Sequence, residues 1–138
     1  IHLGLSPYYK GSGTNLWPLV NNEPEYIGIT YMYIDANIDT GDIIHQIRPN
    51  IYSYDNVHTI GCKVIKDSAE KISIIIDKVK NGESLDRTKQ WNIEDEKYYK
   101  NKDFTEEILD KYNTNIKNKM IKKFINKTKK QIKLIKFY

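Results

Sequence analysis

Cysteine is nearly missing from this sequence: Cys62 is the single one among 138 residues. A lone thiol can close no internal disulfide and offers no metal-ligand spacing, which fits a reducing, cytoplasmic setting. On an apolar helix face its expected role is packing. Long hydrophobic runs are also missing, since no stretch approaches the ~18 apolar residues of a membrane span. The first residues, Ile1-His2-Leu3-Gly4, lack the charged lead, apolar segment and cleavage site of a secretory signal. There is no initiating Met, and a chemistry-bearing pattern opens at residue 2, so we expect chain upstream of Ile1. No phosphate-binding glycine loop of the Walker or GxGxxG kind occurs, and no internal repeat.

What is present is unevenly charged. The formal net charge is +4, yet residues 115–138 carry nine Lys and no acid. Residues 1–114 are left with 13 basic and 18 acidic side chains, a net −5. The body therefore lacks the electrostatic footprint of a nucleic-acid binder, and only the tail has one. Lys, Asn, Ile and Tyr are common throughout, as an A- and T-rich gene would produce.

Residues 1–14 hold Gly4, Pro7, Gly11 and Gly13 among polar residues, which is loop chemistry. A short helix is expected over Asn15–Asn21, with Pro18 in its first turn. Residues 25–34 are aromatic and β-branched on both faces, as in a buried strand, and Ile43–Ile51 read as a second strand. The link between them, Asp35–Asp42, is too short for a helical crossover, so the two should pair antiparallel. Asp55 is expected to cap a long helix reaching Asn81, with Gly82 just past its end. Its apolar positions are Val57, Ile60, Val64, Ile65, Ala69, Ile72, Ile75, Ile76 and Val79, a 3.6-residue stripe. Residues 83–103 are polar and irregular, anchored by Trp91, Tyr98 and Tyr99. Helical patterning returns over Thr105–Tyr112 and from Asn115 onward, with Ile116, Met120, Ile121, Phe124, Thr128, Ile132 and Ile135 on one face.

Two segments carry potential chemistry: His2-Leu-Gly-Leu-Ser-Pro-Tyr-Tyr-Lys-Gly-Ser12, and Gly28-Ile-Thr30 followed by Asp35-Ala-Asn-Ile-Asp39-Thr-Gly-Asp-Ile-Ile44. A carboxylate beside an imidazole orients it and raises its pKa, making it a better proton carrier. The residues alone leave other readings open. Asp35 and Asp42 also suit turns, and His45 and His58 suit a strand and a helix entry. Tyr8, Tyr9 and Lys10 could pack the loop or face solvent as easily as a ligand.

Together the segments resemble the second half of the folate-dependent formyltransferase domain. That domain is shared by glycinamide ribonucleotide, methionyl-tRNA and sugar-nucleotide formyltransferases. Its pattern is Asn-x-His, a proline-containing loop closing on Arg/Lys-Gly, Thr-Gly-x-Thr, then Asp-x-Gly. Here His2 and Asp39 match the histidine and aspartate, Pro7, Lys10 and Gly11 the loop, and Gly28 and Thr30 the strand. The likeness is close over residues 1 to about 80 and looser through Lys89-Gln90-Trp91 and Tyr99–Phe104. It implies an α/β, Rossmann-like domain with a mainly parallel sheet whose N-terminal half is missing. Residues 1–82 would form the C-terminal half of the catalytic domain, and 83–138 a mostly helical extension. It further implies a cis Ser6-Pro7 bond and 10-formyltetrahydrofolate as co-substrate. His2 would be the oxyanion partner and Asp39 its carboxylate. Asp35, Ala36, Asn37 and Ile38 would lie against the folate head group, and Tyr8 and Lys10 near the second substrate; no metal is implied.

The sequence departs from the pattern in places. The family Asn would precede residue 1, Met32 stands where some members have a second histidine, and the loop reads Gly4-Leu-Ser-Pro7. The chain alone is therefore expected to be inactive. Too few residues follow 82 for a tRNA-gripping barrel, so the expected partner is a small-molecule amine, an amino sugar on a nucleotide or lipid carrier. A methionyl-tRNA enzyme using its basic tail, and a non-catalytic interaction module, are the alternatives.

Overall fold

The computed structural model describes residues 1–127 and 131–136. Strand β1 (Tyr9–Gly11) leads into α1 (Trp17–Val20), a 3₁₀ turn at Pro24–Tyr26, then strands β2 (Ile29–Met32) and β3 (Ile43–Ile47). Helix α2 (Val57–Lys80) follows, then β4 (Lys97–Tyr99), a 3₁₀ turn at Asn101–Asp103, α3 (Glu106–Lys117) and α4 (Met120–Asn126). Strands β2 and β3 pair antiparallel, as the short link between them requires, with a register shift between Tyr31 and Met32. Strands β1 and β4 pair in parallel across nearly ninety residues of sequence, Tyr9 opposite Lys97 and Gly11 opposite Tyr99.

Residues 1–14 are thus not all loop. The glycines that suggested a loop do set its turns, Gly11 and Gly13 at φ 86° and 68°, but Tyr9 and Lys10 just before them find a distant partner strand. Both expected strands are shorter than their apolar runs. Pro24 opens a 3₁₀ turn, which delays β2 to Ile29, and Pro49, without an N–H, lies just past the end of β3. The core that results is Leu5, Tyr9, Leu19, Ile27, Ile29, Tyr31, Ile43, Ile60 and Val64, all at most 2% exposed. Tyr99 stacks on Trp17, ring centroids 3.9 Å apart and 6° from parallel, joining the 83–103 segment to α1.

The cap of α2 lies one residue later than expected. The Asn56 side chain accepts from the backbone of His58 and Thr59, and Thr59 returns the bond to the Asn56 N–H. Asp55 is occupied instead as a buried acceptor, for the Tyr52 N–H (2.7 Å), the Thr59 hydroxyl (2.9 Å) and Lys63 Nζ (2.6 Å). Burial alone would raise its pKa; these donors outweigh that and hold the carboxyl below its ordinary range. Only one side of the α2 stripe is buried, at Ile60, Val64, Ser68 and Ile75. Ile65, Ala69, Ile76 and Val79 are exposed, and so is Cys62, which the sequence placed in packing. It lies two residues from Ile60, about 200° around the helix from the buried face. His45 sits in β3 stacked on Tyr31, and His58 in the first turn of α2, both in the structural places foreseen for them.

The C-terminal residues pack onto this body. Asn115 donates to the carbonyls of Leu19 (2.9 Å) and Val20 (3.0 Å), which close α1, and the Tyr112 hydroxyl accepts from the Val57 N–H at the start of α2. The expected single tail helix is broken. Helix α3 runs on to Lys117, Lys119 takes a left-handed φ of 58°, and α4 ends at Asn126. Ile132 and Ile135, assigned to the helical stripe, lie outside any helix, while Thr128 falls outside the described residues. Among the described residues no helix is long and apolar enough to cross a membrane.

Replacing Asp55 with Asn should cost about 2 kcal/mol of folding stability. It leaves the partly exposed Lys63 ammonium without its carboxylate and turns one of three acceptor contacts into a donor. Urea denaturation reads this directly, and an unchanged midpoint would mean that Asp55 is not part of what holds α2 in place.

Candidate active site

Thr30, in the middle of β2 and fully buried, builds the site through both its backbone and its hydroxyl. Its N–H and C=O exchange hydrogen bonds of 2.9 Å with His2, adding a bridge to the free edge of β2. Its hydroxyl donates to the Gly4 carbonyl (2.7 Å) and accepts from the Ser6 N–H (3.0 Å) and Gln46 Nε2 (3.1 Å). Gln46 Nε2 also reaches the Ser6 carbonyl at 2.7 Å. The loop bearing His2 is therefore fastened at three residues, and its Ser6-Pro7 bond is cis, as the sequence implied. Gly4 lies against the histidine ring, where a Cβ would fall 2.5 Å from His2 Nε2 and 2.6 Å from Thr14 Cβ.

His2 is 8% exposed. Its Nδ1 lies 3.2 Å from Asp39 Oδ2, and its Nε2 2.9 Å from the Tyr9 carbonyl. Asp39 takes a left-handed φ of 56°, and the same Oδ2 accepts from the Gly11 N–H at 2.8 Å. The ring thus lies between two acceptors. A neutral imidazole has one N–H for them; an imidazolium has two. Burial pushes the His2 pKa below its ordinary value, outweighing the Tyr9 carbonyl and the Asp39 carboxylate, both of which pull it upward. The ring is held neutral near pH 7, in a setting where a proton delivered to it finds a partner on each side.

A cleft of about 320 Å³ opens beside this pair, lined by His2, Met32, Asp35, Asn37, Ile38 and Asp39 among others. Three of the four residues foreseen for the head-group turn line it; Ala36 belongs to the same exposed turn but not to the wall. Asp35 closes the turn on itself, accepting from the Asn37 N–H (3.1 Å) and the Thr40 hydroxyl (2.7 Å). Ile34 and Ile38 are 99% and 57% exposed at the cleft and offer it apolar surface. Met32 is on the wall where a second histidine was considered.

Tyr8 and Lys10 are not brought to this cleft. Tyr8 packs against Tyr26 and Trp91, at 4.8 and 5.8 Å between ring centroids, and lines a separate cleft with Glu23, Ile93 and Lys97. Lys10 is 6% exposed and pairs with Glu96 at 2.8 Å. Asp42, foreseen as a turn former, accepts the Tyr33 N–H through its backbone and lies 3.5 Å from Arg87. Sequence reasoning passed over Gln90, whose amide donates to the carbonyls of Asp39 and Gly41, although Lys89-Gln90-Trp91 stood out as a looser likeness. Among the described residues no cluster of three or more His, Cys, Asp or Glu could hold a metal ion.

Comparison with known proteins gives a consistent likeness. The family profile described as Formyl transferase matches residues 1–79. A methionyl-tRNA formyltransferase of Thermodesulfovibrio yellowstonii is 38% identical over 82 residues, 59% of this chain and 26% of the relative. Among solved structures, the formyltransferase PseJ from Anoxybacillus kamchatkensis, in complex with UDP-4,6-dideoxy-4-formamido-L-AltNAc and tetrahydrofolate, superposes with a TM-score of 0.65 at 27% identity. That match covers 74% of this chain and 51% of PseJ. An N-formyltransferase from Helicobacter canadensis, in complex with folinic acid and dTDP-3-aminofucose, gives a TM-score of 0.66 at 30% identity over 75% of this chain and 38% of its own. The α/β elements described above are thus those of the Rossmann-like formyltransferase fold, and the chain spans about a quarter to a half of the relatives it matches.

If Asp39 sets the charge at the ring, Asp39→Asn should lower the His2 pKa further, because it removes an upward pull and leaves the burial penalty in place. NMR titration of the His2 ring measures this, and a midpoint that stays or rises would remove Asp39 as the partner of His2.

Proposed function

Because the chain belongs to the formyl transferase family, we propose that it forms the His–Asp part of an active site that passes a formyl group from 10-formyltetrahydrofolate to an amine. The observation that carries this is the 3.2 Å contact between His2 and Asp39 at the edge of a cleft, inside the matched segment. When bound, the folate supplies an activated formyl carbon. The fit is reasonable: apolar Ile34 and Ile38 suit a flat heteroaromatic ring, and the turn carrying Asp35, Ala36, Asn37 and Ile38 would hold it. To meet the negative charge that grows on oxygen and share the proton that the attacking amine gives up, His2 Nε2 would exchange the Tyr9 carbonyl for the substrate, with Nδ1 kept on Asp39. Asp39 would stabilise the imidazolium so formed. Burial keeps the ring neutral until then, so the stabilisation falls in the transition state more than the ground state. Residues 1–82 are read as the end of the catalytic domain, and 83–138 as an extension of it.

For the acceptor we favour an amino sugar on a nucleotide or lipid carrier. The solved relatives bound to nucleotide sugars support this, and so does the net acidity of residues 1–114. Methionyl-tRNA is the second reading, favoured by the curated relatives and by the lysines of α4 and its flanks.

In the complete protein, His2→Ala and Asp39→Asn should each lower turnover roughly 10²-fold or more, with folding nearly unchanged. Near-normal turnover of Asp39→Asn would overturn the assignment. Replacing Lys122, Lys123 and Lys127 with Gln separates the acceptors. A sugar enzyme should keep its acceptor affinity, whereas a tRNA enzyme should lose about 0.7–0.9 of salt slope for each phosphate contact removed. Lys129 and Lys130, in the same basic run, lie outside the described residues.

A further inference from the structure

We propose that Gln90, which lies beyond the family-matched segment, is a positioning residue that clamps the turn carrying Asp39 and so aims its carboxylate at His2. The inference rests on the formyl-transfer reading above and adds a part that reading does not contain.

The turn from Ile38 to Gly41 closes tightly. Asp39 sits in the left-handed region, costly for a residue with a side chain. Gly41 passes so near Tyr33 that a Cβ there would fall 1.8 Å from its carbonyl oxygen. A turn bent this way directs the Asp39 and Gly41 carbonyls away from any ladder, and a third element must satisfy them. Gln90 does so with both amide hydrogens, donating to Asp39 O at 2.8 Å and to Gly41 O at 2.9 Å. The Ser6 hydroxyl also reaches Asp39 O, but at 3.3 Å.

Gln90 is itself delivered with little slack. Two residues earlier, Thr88 exchanges backbone hydrogen bonds of 2.8 and 3.0 Å with Ile43, the first residue of β3. The rigid start of β3 thus holds the segment whose amide holds the turn. With the backbone of Asp39 pinned, its carboxylate has one settled direction, where Oδ2 serves both His2 Nδ1 and the Gly11 N–H. Without the clamp the turn can relax from its left-handed residue, and a displacement of about 1 Å is enough to impair a proton-transfer geometry.

Gln90→Met keeps the length of the side chain and removes both donors. Its effect is read by NMR titration of the His2 ring and by steady-state kinetics of the complete protein. Of the charged side chains bearing on His2, Asp39 raises its pKa and Lys10 lowers it. Releasing Asp39 should therefore move the His2 midpoint downward, the direction expected for Asp39→Asn. Turnover should fall by up to about 10²-fold, the cost of a misplacement of about 1 Å, with the acceptor KM within about twofold. Should Gln90→Met not fold, Gln90→Ala gives the same reading. A His2 midpoint that stays at the wild-type value in the Gln90 variant but moves in Asp39→Asn would overturn the proposal and leave Gln90 a packing residue. If Asp39→Asn keeps full turnover, formyl transfer through this pair fails, while the His2 midpoint still decides whether Gln90 aims Asp39.

Discussion

The Thr30 hydroxyl is the contact on which the rest of the site depends. It is fully buried and uses three hydrogen-bonding directions: donation to Gly4, acceptance from Ser6, and acceptance from Gln46. The loop before β1 has no regular structure to fix it across Gly4–Pro7. Its position relative to the sheet comes from this one oxygen, the backbone bridge at His2, and Gln46. A valine here would fill the same space but orphan the Ser6 N–H and the Gly4 carbonyl, and unmatched buried polar groups cost more than the bonds were worth. The site is thus a loop docked on a strand by polar contacts that act together with the buried Leu5 side chain.

From that anchoring follows a division of labour. Strand β2 fixes His2, the turn between β2 and β3 fixes Asp39, and β1 brings up the Gly11 N–H that shares Asp39 Oδ2. Three segments meet at one carboxylate oxygen. The strain of a left-handed Asp39 is offset by hydrogen bonds from Gln90 and Ser6, and it sits where function was proposed on other grounds.

Much of this was legible in the sequence, because local signals and the resemblance pointed the same way. The β2–turn–β3 hairpin followed from two apolar runs with Asp, Asn and Gly between them. The long α2 followed from its periodicity, and the His2–Asp39 pairing from the matched motifs. What could not be read is non-local. The β1–β4 ladder joins Tyr9 to Lys97, and neither segment has the alternation of a strand. Gln90 is one polar residue in an irregular stretch, and its role exists only once Thr88 has met Ile43. The α2 stripe misled in a different way. Periodicity shows which residues share a face but not how much of that face is covered, so Ile65, Ile76 and Val79 read as core yet are exposed. In the tail, an apolar spacing that runs on past Lys119 hid a left-handed break that no glycine announced.

The outer edge of β3 has a further consequence. Its N–H and C=O groups are met at one end by Thr88, and at the other by Ile135, which accepts the Gln46 N–H at 2.7 Å and donates to Gln46 Oε1 at 3.1 Å. A strand edge left open is a template on which another chain can add. Residues 131–136 thus act as a guard rail for the hairpin, and they do so through Gln46, the residue that also steadies the cis-proline loop. If these residues lifted away, the same event would bare an edge prone to self-association and loosen the loop that carries His2. Cover of the strand edge and steadiness of the His2 loop thus meet at one residue, Gln46.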